Sequence, residues 1–146
     1  MNRSPAQPAR RRAFTLVEII VVIVILGILA TLIAPRILSR IGQAKNATAQ
    51  ANAAVLANAT KLFMADCGGK VPEGASVMAL WEKPGGVEEG QWKGPYVDSV
   101  DQLKDPWGVQ FMLVVPGKKN VDFDIVSYGA DKNPGGEGDN ADVTKP

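Results

Sequence analysis

The chain carries 21 nearly unbroken apolar residues at 14–34, and a single carboxylate, Glu18, stands close to the start of that run. At about 1.5 Å per residue, an α-helix of this length spans roughly 32 Å, enough to cross the hydrocarbon core of a bilayer. An unpaired carboxylate in hydrocarbon costs on the order of 2.5 to 3.5 kcal/mol, so the acid demands a partner and marks a functional position.

The residues before the run include Arg3, Arg10, Arg11 and Arg12 and no acid. By the positive-inside tendency the N-terminus stays in the cytoplasm and the remainder is sent outward across one membrane. A cleaved secretory signal competes with this reading, but its apolar core is shorter and ends in an A-x-A pattern, which Ala30 and Ala34 imitate only loosely. A plain single-pass anchor satisfies hydropathy equally well.

The local sequence Arg11-Arg12-Ala13-Phe14-Thr15-Leu16-Val17-Glu18 separates these possibilities, because it resembles the cleavage and methylation site of type IV pilin-like proteins. That resemblance implies a membrane prepilin peptidase that cuts between Ala13 and Phe14 and methylates the new Phe14 amine. It leaves the apolar stretch attached as an assembly helix. The family usually has Gly before the cut, where this chain has Ala13, another small residue. After such a cut the Phe14 amine is a cation in apolar surroundings, and Glu18 lies one helical turn away. The pair can form within one chain or with the Phe14 amine of a neighbouring subunit. The resemblance favours the neighbour, where the contact would set subunit register. Desolvation of both ions offsets much of their attraction, so the pair serves specificity more than stability. Gly27 and Pro35 are weak points of the same helix: Pro35 removes a backbone donor and is expected to kink or open the helix locally. Similar proteins carry Gly and Pro at these places, which implies that the intervening segment stretches or melts in filaments.

All 15 acids lie after Ala13, against 12 of the 16 basic residues, so the side-chain charge beyond the leader is −3. With no basic cluster after the membrane segment, the electrostatic driving force for nucleic-acid binding is missing, and nucleic acid is excluded as a partner. Cys67 is the sole cysteine and reads as a small apolar packing residue; no intrachain disulfide can form.

Helical spacing continues from 36 to 66, with Ile37, Ile41, Ala44, Thr48, Ala51, Val55, Leu62 and Ala65 as the expected core-facing stripe and Gln43, Asn46, Gln50, Asn52 and Lys61 on the opposite face. The helix is expected to stop at Asp66-Cys67-Gly68-Gly69, where glycines suit a C-terminal cap. A short second helix is expected at 76–81, ending before Lys83-Pro84-Gly85-Gly86. Two short strands follow at 109–115 and 121–127, joined through the turn residues 116–120. Asp122 and Asp124 alternate on the second strand and read as solvated hairpin acids. Tyr96 and Trp107 read as core aromatics.

The order of motifs sharpens the resemblance. Asp66 with its Gly-rich turn, Gly94-Pro95-Tyr96, Asp105-Pro106-Trp107-Gly108 and Ser127-Tyr128-Gly129-Ala130-Asp131 follow as in the major pseudopilins of type II secretion. The segment 131–142 is too polar and Gly-rich to form a core, and its acids recur around tight turns, as in loops that gather hard oxygen ligands for Ca²⁺. The EF-hand spacing is absent. The resemblance implies calcium as cofactor, with Asp131 and Asp142 as the leading side-chain ligands, then Asp139, and the backbone carbonyls of Tyr128 and Asn133 alongside. Glu137 is left ambiguous by the variable loop length.

With no histidine in the chain, Ser-His and Cys-His nucleophiles and histidine metal centres are excluded, and no phosphate-cradling glycine motif precedes a helix. The expectation is a non-enzymatic, pilin-like α+β subunit. Its parts are a basic leader at 1–13, a transmembrane assembly helix at 14–34, an amphipathic continuation at 35–66, and a small periplasmic domain at 67–146 with an antiparallel sheet and a Ca-binding loop. The implied role is a structural subunit of the secretion pseudopilus that helps move folded proteins across an outer membrane. The implied partners are further copies of itself, minor pseudopilins, the prepilin peptidase, an inner-membrane assembly platform and membrane lipid. A type IV pilin or minor pseudopilin is the near alternative, and a membrane-tethered periplasmic binding domain the one from another class.

Overall fold

The computed structural model describes residues 14–146. The proposed cut between Ala13 and Phe14 and the arginine-rich leader lie at or outside that boundary. One helix, α1 (Leu16–Asp66, 51 residues), dominates the chain, and it continues through Pro35 as a single element. The chain divides into one unit ending at Leu38 and a second comprising Ser39–Pro146.

In the first unit every described residue is exposed. The apolar sequence forms a helix because its aliphatic side chains need no partner from the backbone, and the hydroxyl in its middle is absorbed locally: Thr31 Oγ1 donates to the Ile28 carbonyl at 2.7 Å. This is the one helix among the described residues that is long and apolar enough to span a membrane, and none of its most apolar window is buried.

In the second unit α1 presents Gly42, Ala49, Ala53, Leu56, Ala57, Thr60 and Phe63 to the core. The expected stripe is therefore corrected: Ile37, Ile41, Ala44, Thr48, Ala51, Val55, Leu62 and Ala65 are all exposed, Val55 and Leu62 by more than half. The physical reason is size. Alanines let the domain approach the helix backbone closely, while Leu56 and Phe63 supply the bulk, so the large β-branched side chains do not mark the buried face. At its end Gly68 adopts φ +81°, and the Gly69 N–H returns to the Met64 carbonyl at 2.9 Å, the expected glycine cap.

The residues at 76–81 form a single 3-10 turn, Val77–Leu80, rather than an α-helix, with Val77, Ala79 and Leu80 buried. Trp92 Nε1 donates to the Ala79 carbonyl at 2.9 Å, and the Tyr96 N–H to the Leu80 carbonyl at 2.8 Å, stitching this turn to the aromatic layer. Tyr96 lies 5.7 Å from Phe63 and 5.9 Å from Trp92, ring centre to ring centre, the latter edge-on. Its hydroxyl donates to Asp66 at 2.8 Å, and Lys93 Nζ reaches the other carboxylate oxygen at 2.9 Å. These contacts, Lys93 first and Tyr96 second, hold the Asp66 carboxyl below its ordinary value.

The sheet has three antiparallel strands in the order β1 (Met112–Val114), β2 (Asp124–Ser127) and β3 (Val143–Lys145). Leu113 faces Ile125, and Val126 faces Thr144. β1 and β2 are shorter than the expected strands, and β3 was not foreseen. All four residues of β2 are buried, as a central strand covered on both faces requires. Asp124 is consequently not a solvated acid. It is 1% exposed and accepts from the N–H groups of Lys118 (2.6 Å) and Lys119 (2.8 Å) and from the Asn120 side-chain amide. Burial pushes its carboxyl upward, but these hydrogen bonds outweigh burial and hold it below the ordinary value.

Candidate functional site

Two regions carry the expected functional residues. At the start of α1, the Glu18 N–H donates to Thr15 Oγ1 at 3.2 Å, while Glu18 Oε2 accepts from the Thr15 N–H and from the Thr15 hydroxyl, both at 3.2 Å. This reciprocal pattern is a capping box, which satisfies donors that the first helical turn leaves open. Thr15 is the functional residue that sequence reasoning missed, although the signal, Thr followed three residues later by Glu, was present. Glu18 thus has a partner inside its own chain and remains exposed. At Gly27 an added Cβ would meet nothing within 4 Å, so a single protomer places no demand on that glycine.

The second region is the loop 131–142. Asp131 closes an Asx turn, its Oδ1 accepting from the Asn133 N–H at 3.1 Å while Asn133 Nδ2 donates to the Asp131 carbonyl at 2.8 Å. Lys132 between them adopts φ +60°. Asp142 Oδ2 accepts from the Gly135 N–H at 2.9 Å, tying the end of the loop back to its middle. The Gly138–Asn140 segment is a 3-10 turn, and the Asp139 carbonyl accepts from the Ala130 N–H at 3.0 Å. The Asp139 carboxylate is turned toward Gly42 of α1, where any added Cβ would collide with it. Among the described residues no three acidic, cysteine or histidine side chains converge as a metal cluster. One atom nevertheless fits a cation: Asp142 Oδ1 is buried without a hydrogen-bond partner. It borders a cavity of about 150 Å³ that Tyr128, Pro134, Thr144 and Asp124 also line, with Lys118 and Lys119. A buried anionic oxygen with no donor is expensive, and a hard cation such as Ca²⁺ is one partner that would relieve it; of the expected ligand residues Tyr128 shares this cavity with Asp142, whereas Asp131 and Asn133 do not line it.

The two C-terminal sequence motifs meet in space. Asp105, 6% exposed, accepts from the Trp107 N–H (3.0 Å), the Val109 N–H (2.9 Å) and Ser127 Oγ (2.6 Å). The first residue of one motif therefore anchors the first residue of the other, which fixes the end of β2 where the acidic loop departs.

Comparison with known proteins agrees with this geometry. Residues 36–146 match the family model for type II secretion system protein G, and residues 8–34 match the prokaryotic N-terminal methylation motif. The type II secretion system core protein G of Pseudomonas aeruginosa is 37% identical over 139 residues, covering 94% of this chain and 96% of that protein. Its counterpart in Xanthomonas campestris is 36% identical over 143 residues, covering 98% and 94%. The crystal structure of the major pseudopilin from the type 2 secretion system of enterohaemorrhagic Escherichia coli superposes with a TM-score of 0.53 at 23% identity. It covers 69% of this chain and 85% of that one, and shares its fold. Taken with the methylation motif and the small sheet domain that follows α1, these matches establish that the chain belongs to the type II secretion system protein G family.

Proposed function

We propose that this chain is the structural subunit of a type II secretion pseudopilus, polymerising through the first part of α1 to help export folded proteins across an outer membrane. The observation that carries this reading is the wholly exposed, largely apolar segment 14–38, headed by a capping carboxylate and leading into a domain of the protein G family. An apolar helix that buries nothing within its own chain has lipid and other copies of itself as its natural surroundings. The prepilin peptidase removes the leader between Ala13 and Phe14 and methylates Phe14. The protein then rests in the inner membrane with its C-terminal domain in the periplasm, where an assembly platform and minor pseudopilins incorporate it. Its work is mechanical rather than catalytic. Electron microscopy of the overexpressed chain tests the reading together with mass spectrometry of its N-terminus. Filaments built from subunits that begin at methylated Phe14 are expected, and a chain that retains its leader and stays monomeric in a working secretion apparatus overturns the proposal.

The acidic loop is further read as a calcium site held by Asp131 and Asp142 with the carbonyls of Tyr128 and Asn133, supported by the orphaned Asp142 Oδ1. Calcium there would neutralise the clustered carboxylates and convert binding energy into folding energy. That amounts to about 2.7 kcal/mol when free ion exceeds the Kd a hundredfold. Chelation should lower the melting temperature, and Asp142→Ala should abolish the dependence; identical melting with and without Ca²⁺ refutes the site.

A further inference from the structure

The contacts that attach the acidic loop to α1 differ from those that would hold a cation. Gly42 is the first buried residue of α1, and the Asp139 carboxylate occupies the space a side chain there would fill. One turn later, Asn46 Nδ2 donates to the Gly138 carbonyl at 3.0 Å. The same short turn is bound into the loop on its other side. The Asp139 carbonyl accepts from the N–H of Ala130, next to Asp131. Gly129 and Gly136 both lie so close to Asn140 that an added Cβ would come within 3.0 Å of its backbone. Direct contacts therefore run from α1 through 138–140 to the start of the segment 131–142 and to Gly136 in its middle. Glycine inside a helix costs about 1 kcal/mol relative to alanine, and asparagine is also a poor helix former, so each residue weakens α1 locally unless the loop is seated on it.

We propose that Gly42 and Asn46 form a latch for the acidic loop, so that calcium loading of the loop and helical order of α1 at 42–46 are coupled. The proposal rests on the calcium reading given above. When the loop is ordered around the ion, it delivers the Gly138 carbonyl to Asn46 and the Asp139 carboxylate to the Gly42 notch. Linkage is reciprocal, so whatever holds the latch closed raises cation affinity by the same factor. In this arrangement Asp139 is a positioning residue that touches the helix, not a ligand.

The test uses the full chain in detergent micelles, comparing Ca²⁺ with chelator by hydrogen exchange and measuring Ca²⁺ affinity by calorimetry. In the wild type, Ca²⁺ is expected to slow amide exchange at both 128–145 and 40–50. Asn46→Ala and Gly42→Ala should keep the slowing at 128–145, lose it at 40–50, and weaken Ca²⁺ binding by about twofold to tenfold, the value of one hydrogen bond. Asp139→Ala should resemble Asn46→Ala, whereas Asp142→Ala should abolish binding. Ca²⁺ protection confined to 128–145 in the wild type overturns the coupling while leaving the calcium reading intact, as does complete loss of binding in Asp139→Ala. Absence of any Ca²⁺ binding overturns both.

Discussion

Asp105 offers the most quantitative test of how the domain is held together. Its carboxylate is the acceptor for two backbone N–H groups at 3.0 and 2.9 Å and for the Ser127 hydroxyl at 2.6 Å, at a site that is 6% exposed. Hydrogen bonds to a charged group contribute about 1.5–3 kcal/mol each, and a buried donor stripped of its acceptor costs about 1–3 kcal/mol. In Asp105→Ala the Ser127 hydroxyl can rotate to another partner, but the Trp107 and Val109 amides are fixed by the turn. Counting those two in full and allowing for non-additivity gives a loss of about 3–5 kcal/mol. At about 4 °C per kcal/mol for a domain of this size, the melting temperature should fall by about 12–20 °C. Asp105→Asn keeps one carbonyl for the amides and should lose only about 1–2 kcal/mol. Urea unfolding of the full chain in micelles, followed by tryptophan fluorescence, reads the effect directly, because Trp107 sits in the turn itself. The double variant with Ser127→Ala should be less destabilised than the sum of the two single changes, since both remove the same bond. A loss below about 1 kcal/mol for Asp105→Ala, or equal losses for Ala and Asn, contradicts the assignment of Asp105 as a shared buried acceptor.

Asp124 makes a prediction in pH. Its folded pKa lies below the ordinary 3.8, so its stabilising contribution is fully present above that value and disappears as pH falls through the folded pKa. The urea midpoint should therefore drop more between pH 5 and strongly acidic pH in the wild type than in Asp124→Asn; parallel curves refute it. At the other end of the chain, Glu18→Ala should insert into membrane normally yet fail to form ordered filaments. Thr15→Ala, which removes only the cap and about 1 kcal/mol of helix stability, should still assemble, more slowly. Normal filaments from Glu18→Ala would show that the carboxylate does not set register.

Much of this organisation was legible in the sequence, for reasons that differ from element to element. The helix boundary at Asp66 was readable because consecutive glycines follow it. The apolar start was readable because a run of 21 residues with a single charge has few other uses. The buried face of α1 was misplaced because alanine carries almost no periodic signal: Ala49, Ala53 and Ala57 are core residues, while Val55 and Leu62 face outward. Asp124 was misread because a strand acid is normally solvated, and only the loop 116–120 folding back over it reveals its donors. The strand Val143–Lys145 escaped notice because three residues beside a polar segment give no alternation to count. For the acidic loop, the sequence supplied the acids. It could not disclose that Asp139 turns to Gly42, a contact made across nearly a hundred positions of chain.

That last strand has a consequence for biogenesis. β2 sits in the middle of the sheet, yet its second neighbour, β3, follows it in the chain only after the whole acidic loop. During synthesis, which proceeds from the N-terminal end, the hydrophobic centre of the sheet keeps one row of naked amides and carbonyls until residues 143–145 arrive. An intermediate of that kind invites pairing with a foreign strand. Sensitivity to loss of the strand 143–145 would originate in this order of events as well as in the finished molecule.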